Sequence, residues 1–528
     1  MPMKDFCIRN VGIIDGTGSP GFTGDVYVQN EKIARVSRAV EARSKAANDV
    51  DGTGLILTPG FIDAHSHGDL MIESEFSSLS KFSQGITTQA AGQCGVSMWP
   101  ADTANMQRHI RFVSGISPCP SIPPEKSLNS YRAYREYVKN VPNKPKTELF
   151  TGHGALRLKV MGYNTAKPDA KEMLAMQKLL AESMEGGALG MSTGLVYAPG
   201  CYGQSEELVE LLSIVHEYGG VYATHVRDEG NRVEEAEDEA LYCAEKADVP
   251  IFISHFKAAG RQNWGKPARI LKKFDAAIKR GVKLTVDHYP YLAGQTSLNV
   301  SIPPRYRKDG MEKLLENLRD TAALADIRSE MSVQSDYDNY IYNSGGFDGV
   351  MVAACPYFRD AEGMTIAEYA KSIGADSFEA YIELLLRNKG LGLGVYFHMC
   401  EEDLLAIAQY PQSVIGTDGL LGKPGENGHP RAFGSFPHAI NYYVKEKKLF
   451  PLEEMIHRMT GLPAERLGFD DRGRIAHGMA ADMVLMDYEA LRDRANYKDA
   501  NLCTSGIRCV WLDGEIAYEE KDAEKAAR

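Results

Sequence analysis

Residues 59–69 read PGFIDAHSHGD, an apolar run that leads into two histidines two positions apart, His65 and His67. On a strand, residues i and i+2 project to the same side, so the spacing predicts that both rings share one face. Two imidazoles aimed at one point could hold a metal ion, although one core histidine and one exposed neighbour would satisfy the same letters. The remaining residues of the set weigh against packing alone. Cys94 in AGQCGVS, His225 in ATHV, His255 in ISHF and Asp418 in GTDG each close a short β-like run. Thiolate and imidazole together suit zinc better than magnesium or calcium. Zinc brings the pKa of a coordinated water toward neutrality and polarises a carbonyl, so hydrolysis is the chemistry such a set would perform. Asp418 could take a proton from that water and hand it to a leaving nitrogen, as general base and then acid. A turn aspartate flanked by glycines would also read GTDG.

The elements that must position these residues follow from the runs. LTPGFIDAHSH, GITTQAAGQC, TELFTGHG, GALGMSTG, GVYATHV, VPIFISH, VKLTVDHYP and SVIGTDG are β-like, and several end in a polar residue. Between them lie amphipathic helical stretches such as AKEMLAMQKLLAESMEGG and SEELVELLSIVHEYGG, each with Gly at the C-terminal boundary. The steps from His65 to Cys94, from His225 to His255 and from His255 to Asp287 are each about 30 residues, as one βα unit of a (β/α)8 barrel requires. An α/β fold with a TIM-like (β/α)8 barrel is therefore expected, and its active site belongs at the C-terminal strand ends, where these ligands fall. The step from Asp287 to Asp418 is far longer than one unit and is rich in helical pattern, which predicts an insertion at about 296–395. Residues 1–58 and 466–528 carry strand and turn patterns, and we expect them to meet in one small β-sandwich flanking a barrel at 59–465.

Bulk properties narrow the partners. The chain has 528 residues, 44% hydrophobic and 25% charged, with a formal net charge of -12 and no block of Lys and Arg. That balance argues against nucleic acid and for a small-molecule substrate. The sequence has neither a secretion signal at its start nor a long uninterrupted apolar stretch, so neither export nor membrane insertion is expected. Nine cysteines without paired spacing do not read as a disulfide framework, and a cytoplasmic setting is expected.

PGFIDAHSHGD, GQCG, GALGMSTGLVY, ATHVRDEG, ISHFK, DHYPY, IGTDG and GRIAHGMAADMVLMD, in this order, resemble the amidohydrolase superfamily, and most closely its D-aminoacylase branch, the N-acyl-D-amino-acid deacylases. The resemblance implies a tight zinc site at Cys94, His225 and His255, and a second, weaker metal position among His65, His67 and Asp418. It implies that Cys94 replaces the carboxylated lysine that bridges two metals in many relatives. It also implies that Lys257, Tyr197 and Tyr289 hold the α-carboxylate of an N-acyl amino acid, a cation with two hydroxyl donors being a workable carboxylate clamp. Arg431, in GHPRAFGSFP, matches an arginine near the substrate side chain, where it would either pair with an acidic group or brace the loop. Gln295 stands where some relatives carry a small hydroxyl residue, which leaves acidic and apolar substrates both open. Read without the resemblance, the tyrosines are core aromatics and Lys257 a surface charge. His288 and His153 also sit near strand ends, His288 as a pocket or satisfied histidine and His153 at most behind the ligands. Arg227, Asp228 and Glu229 are candidates for orienting them.

The expected activity is zinc-dependent hydrolysis of N-acyl-D-amino acids to a carboxylate and a free D-amino acid; the handedness comes from the resemblance alone. A dipeptidase acting on a C-terminal D residue would use the same clamp. A cyclic-imide hydrolase of the hydantoinase kind would need a lysine at the end of GALGMSTG, where there is none. A non-catalytic scaffold on this barrel would be expected to have lost ligands that this chain keeps. A homo-oligomer is common for such folds.

Overall fold

Eight short strands pair in parallel, in chain order, to form the central sheet: Phe61–Asp63, Ile86–Ala91, Lys146–Gly152, Gly190–Gly194, Val221–His225, Ile251–Ile253, Leu284–His288 and Ser413–Ile415. The computed structural model describes residues 5–38, 48–101, 104, 106–334 and 336–521. The first and last of these strands meet through Ala64 N–H donating to the Ile415 carbonyl at 3.3 Å, and the Asp418 N–H donates to the His65 carbonyl at 2.9 Å. The sheet is thus a nearly closed barrel. Strands covered on both faces lose the polar alternation of an exposed sheet; accordingly, every residue of the second, fourth, fifth and seventh strands is buried.

Helices connect the strands on the outside. Ala170–Glu185 begins with a capping box, in which the Asp169 side chain accepts from the Lys171 and Glu172 N–H groups while Glu172 reaches back to the Asp169 N–H. It buries Met176, Leu180 and Met184 against the barrel and stops at Gly186–Gly187, the latter at φ 88°. Ser205–Glu217 and Val233–Ala247 repeat the pattern with Leu208, Leu211 and Leu212 on one and Ala236, Ala240 and Ala244 on the other. Helical material also separates the second and third strands, at Met106–Val113 and Tyr131–Asn140.

Between the seventh and eighth strands the chain leaves the barrel. Gly294–Ser297 and Val350–Val352 pair antiparallel with Leu393–Tyr396, which lies between them, and helices including Thr321–Met331, Ile366–Ile373 and Ser377–Arg387 pack on this small sheet. It has its own core of Leu298, Val300, Ile327, Tyr381 and Leu384, and Val196 from the barrel's fourth loop joins it.

Both ends of the chain build a second eight-stranded sheet, in which Ile56–Pro59 from the N-terminal part pairs antiparallel with Met483–Met486 from the C-terminal part. Phe6 and Trp511 lie on strands separated by two others, yet their rings stack at 5.8 Å, so the sheet folds over its own core. Lys146, at the start of the third barrel strand, reaches Asp482 at 2.9 Å and Asp513 at 2.6 Å and ties the barrel to this sheet.

Candidate active site

The candidate ligands converge just beyond the C-terminal ends of the barrel strands. One donor atom each from His65, His67, Cys94 and Asp418 lies within 4.8 Å of the others, and the same holds for Cys94, His225 and His255. Cys94 is common to both groups. Its Sγ lies 3.3 Å from His65 Nε2 and 3.4 Å from His255 Nε2, and Asp418 Oδ1 lies 3.3 Å from His67 Nε2. All six residues are buried.

The local backbone explains how six polar groups from distant strands meet. The first strand ends at Asp63, two residues before His65, so the shared-face argument for His65 and His67 does not apply as expected: both stand on the loop. Hydrogen bonds hold that loop instead. Asp63 accepts from the His65 N–H at 3.3 Å and the Thr417 N–H at 2.7 Å, and its other oxygen takes Lys81 Nζ at 2.7 Å. The loops that carry His65 and Asp418 are therefore pinned to one buried carboxylate. Cys94, His255 and Asp418 sit at φ 54°, 36° and 45°, in the left-handed region that non-glycine residues rarely occupy. Such strain persists only where the surroundings over-determine it, which is the behaviour of functional sites. Gly194 lets the fourth strand end pass close by, since a Cβ there would stand 2.0 Å from the Cys94 carbonyl oxygen.

Carboxylates behind the ring nitrogens set the electrostatics. Asp287, at 3.2 Å from His65 Nδ1, also accepts the His255 N–H at 2.8 Å. Glu229 Oε1 lies 2.9 Å from His255 Nδ1 and 2.5 Å from Lys257 Nζ, and its Oε2 accepts from the Tyr340 hydroxyl at 3.2 Å. Burial opposes ionisation of Cys94, but His65 and His255 outweigh it and hold the thiol well below its ordinary range. Burial likewise opposes the Asp418 carboxylate, and Arg431, 2.8 Å from Oδ2, holds it well below the usual carboxylate range. His225 Nδ1 is buried and has no hydrogen-bond partner, an orphan that a cation would satisfy. A thiolate flanked by imidazoles whose far nitrogens meet carboxylates is a donor set that fits zinc.

A cavity opens on this cluster. Lys257, Tyr197, Tyr289, Arg431 and Gln295 all line it. Tyr197 shares a 2.8 Å hydrogen bond with Thr296 Oγ1, and Lys257 and Arg431 lie 5.7 and 4.6 Å from the Tyr289 ring. Arg431 is fully buried and, besides its ion pair with Asp418, donates from Nη2 to the Gln295 carbonyl at 2.9 Å, so it braces the loop and pairs within the protein. Of the charges in ATHVRDEG only Glu229 reaches the cavity: Arg227 pairs with Glu239, and Asp228 accepts the Gly230 and Arg232 N–H groups. His288 is a satisfied core histidine between Ser413 and Tyr443, and His153 pairs with Glu207 at 2.7 Å, away from the cavity. Sequence reasoning passed over Asp287, Asp63, Lys81, Ile116, Tyr340 and His398. The strand-end position of Asp287, in DHYPY, was a usable signal. Ile116, Tyr340 and His398 come from connecting segments with no motif to mark them.

Comparison with known proteins agrees with this geometry. A model of the amidohydrolase family matches residues 50–328 and 407–518. The chain is 32% identical over 517 residues to an N-acyl-D-glutamate deacylase of Alcaligenes xylosoxydans xylosoxydans, covering 98% of this chain and 94% of that one. It is 30% identical to a D-aminoacylase of the same organism, over 98% of this chain and 95% of that one. Among solved structures, the N-acyl-D-glutamate deacylase of Bordetella bronchiseptica, complexed with zinc and a phosphonate inhibitor that mimics the tetrahedral intermediate, superimposes with a TM-score of 0.82 at 31% identity, over 98% of this chain and 97% of that one. A barrel with a buried cluster of His, Cys and Asp beyond its strand ends, and likeness along nearly the whole length, lead to one conclusion: the chain belongs to the amidohydrolase family.

Proposed function

We propose that this protein is a zinc-dependent N-acyl-D-amino-acid deacylase that hydrolyses the amide bond to a carboxylate and a free D-amino acid. The observation that carries the reading is the pair of donor groups sharing Cys94, with Asp418 at their edge and Lys257, Tyr197 and Tyr289 in the same cavity. The names of the full-length relatives support the D configuration.

In this reading Cys94, His225 and His255 hold the tight zinc, and His65, His67 and Asp418 surround a second, weaker position. Bound zinc supplies Lewis acidity, which activates water and polarises the scissile carbonyl. Lys257 with the Tyr197 and Tyr289 hydroxyls grips the α-carboxylate and so fixes the amide over Asp418. Arg431 keeps Asp418 ionised and ready to accept a proton. Asp418 then delivers that proton to the departing nitrogen, because an amine leaves poorly unless protonated. No helix among the described residues is long and apolar enough to cross a membrane.

Paired N-acetyl-D and N-acetyl-L amino acids test the reading. The zinc-loaded protein is expected to turn over the D series only. Asp418→Asn should lower kcat by about 10²-fold or more with tight zinc retained, and Cys94→Ala should lose both zinc and activity. Zinc-replete protein that hydrolyses neither series would refute it.

A further inference from the structure

Around the cavity, four buried polar atoms without a partner belong to residues that have no part in the reaction. They are both amide atoms of Gln295, 5% exposed, and both ring nitrogens of His398, 2% exposed. Buried polar atoms in native proteins are nearly always hydrogen-bonded, so four orphans around one substrate cavity imply a ligand that completes them. Their placement is built into the insertion. Gln295 lies opposite Val395 in an antiparallel pair, and His398 follows three residues later on the same strand exit. Gly294 keeps the ground in front of His398 open: a Cβ there would stand 3.1 Å from His398 Nε2 and 3.4 Å from the Tyr289 hydroxyl.

Charge then selects the ligand class. Both cations lining the cavity already face a carboxylate, Lys257 with Glu229 at 2.5 Å and Arg431 with Asp418 at 2.8 Å. The substrate α-carboxylate draws on Lys257, so a second carboxylate on the side chain would have to share Arg431 with Asp418, 2.8 Å from its Nη1, and a buried charge without a counter-charge of its own is costly. His398 does not change this, because burial and the nearby Lys257 push its pKa down to about 3 and it stays a neutral imidazole. An apolar side chain would leave all four orphans unmet. A primary carboxamide offers an acceptor oxygen and two N–H donors, the complement of one amide and one neutral imidazole.

Resting on the deacylase reading above, we propose that the amino acid released has a carboxamide side chain, that of D-glutamine or D-asparagine, held between Gln295 and His398. The residues that read it are therefore Gln295 and His398, with Arg431 bracing the loop by its bond to the Gln295 carbonyl.

The test is kcat/KM of the zinc-loaded protein on N-acetyl-D-glutamine, -asparagine, -glutamate and -methionine; methionine has nearly the shape of glutamine without its polar end. At least one carboxamide substrate is expected to exceed both glutamate and methionine by about tenfold or more, the size of leaving one or two buried polar groups unpaired. Gln295→Leu and His398→Phe should each reduce the glutamine-to-methionine ratio by about tenfold. Glutamate or methionine derivatives turned over within tenfold of the better carboxamide by the parent protein would overturn this inference and leave the deacylase reading standing. Absence of turnover on all four, with another N-acetyl-D-amino acid hydrolysed, would likewise overturn this inference alone, and absence of turnover across the whole D and L series would overturn both.

Discussion

Single residues at this centre are placed by what stands behind them. His255 offers Nε2 to the cluster because its Nδ1 is committed to Glu229, and Glu229 is held in turn by Lys257 and the Tyr340 hydroxyl. Burial opposes charge on Glu229, yet Lys257 and the two histidines hold its carboxyl well below the ordinary range, so it remains an acceptor at any working pH. A group of this kind orients a ligand without touching the metal, and its loss weakens metal binding about 10- to 100-fold. Glu229→Gln is therefore expected to raise the zinc Kd by that factor in a chelator-competition titration. Unchanged affinity would mean that His255 is positioned by the backbone alone, through its N–H bond to Asp287.

At the scale of elements, the outer helices carry the barrel's stability and the connecting segments carry its chemistry. Ala170–Glu185 shows the division: its capping box is exposed and lies on the outside, while Met176 and Leu180 are fully buried beneath it. Asp169→Ala removes the acceptor for two N–H groups at the helix start. The expected cost is about 1 kcal/mol in denaturant unfolding, with kcat/KM unchanged. A fall in activity at constant stability would mean that this helix transmits to the site, contrary to the division drawn here. The insertion behaves in the opposite way. Its small sheet and helices bring Gln295, Tyr340 and His398 to the cavity, so the segment between the seventh and eighth barrel strands supplies part of the cavity wall.

For the molecule as a whole, burying so many ionisable groups makes stability depend on pH. Glu237, on the helix Val233–Ala247, is 1% exposed; burial, with Glu229 adding to it, pushes its carboxyl well above the usual carboxylate range. The folded protein thus keeps a proton that the unfolded chain releases above about pH 4.3. The stability from this group is complete below that pH and is lost as pH rises through the folded pKa, at up to about 1.4 kcal/mol per pH unit. The amide of Glu237→Gln imitates the protonated acid throughout. Its Tm is therefore expected to match the parent's near pH 4 and to exceed it at pH 8. Parallel Tm curves for the two proteins across that range would show that Glu237 titrates alike in both states.

What could be read directly from the amino-acid order was local and periodic. Apolar runs ending in His65, Cys94, His225, His255 and Asp418, with steps near 30 residues, are enough for a barrel and for the gathering of these side chains at one end of it, because a parallel strand is a short apolar run and its C-terminal end is where a loop must begin. The strand patterns at both ends of the chain likewise foretold the sheet that they share. The pairings that tune the centre were beyond such reading. His65 meets Asp287 across 222 residues, Thr417 meets Asp63 across 354, and Tyr340 reaches Glu229 from a segment with no motif. Arg431 could be placed near the substrate by resemblance, but its commitment to Asp418 could not. Hydrophobic periodicity records which side of an element faces the core; which two polar groups meet there is decided when the elements pack, since each buried charge must find a partner at hydrogen-bond distance or remain unpaired.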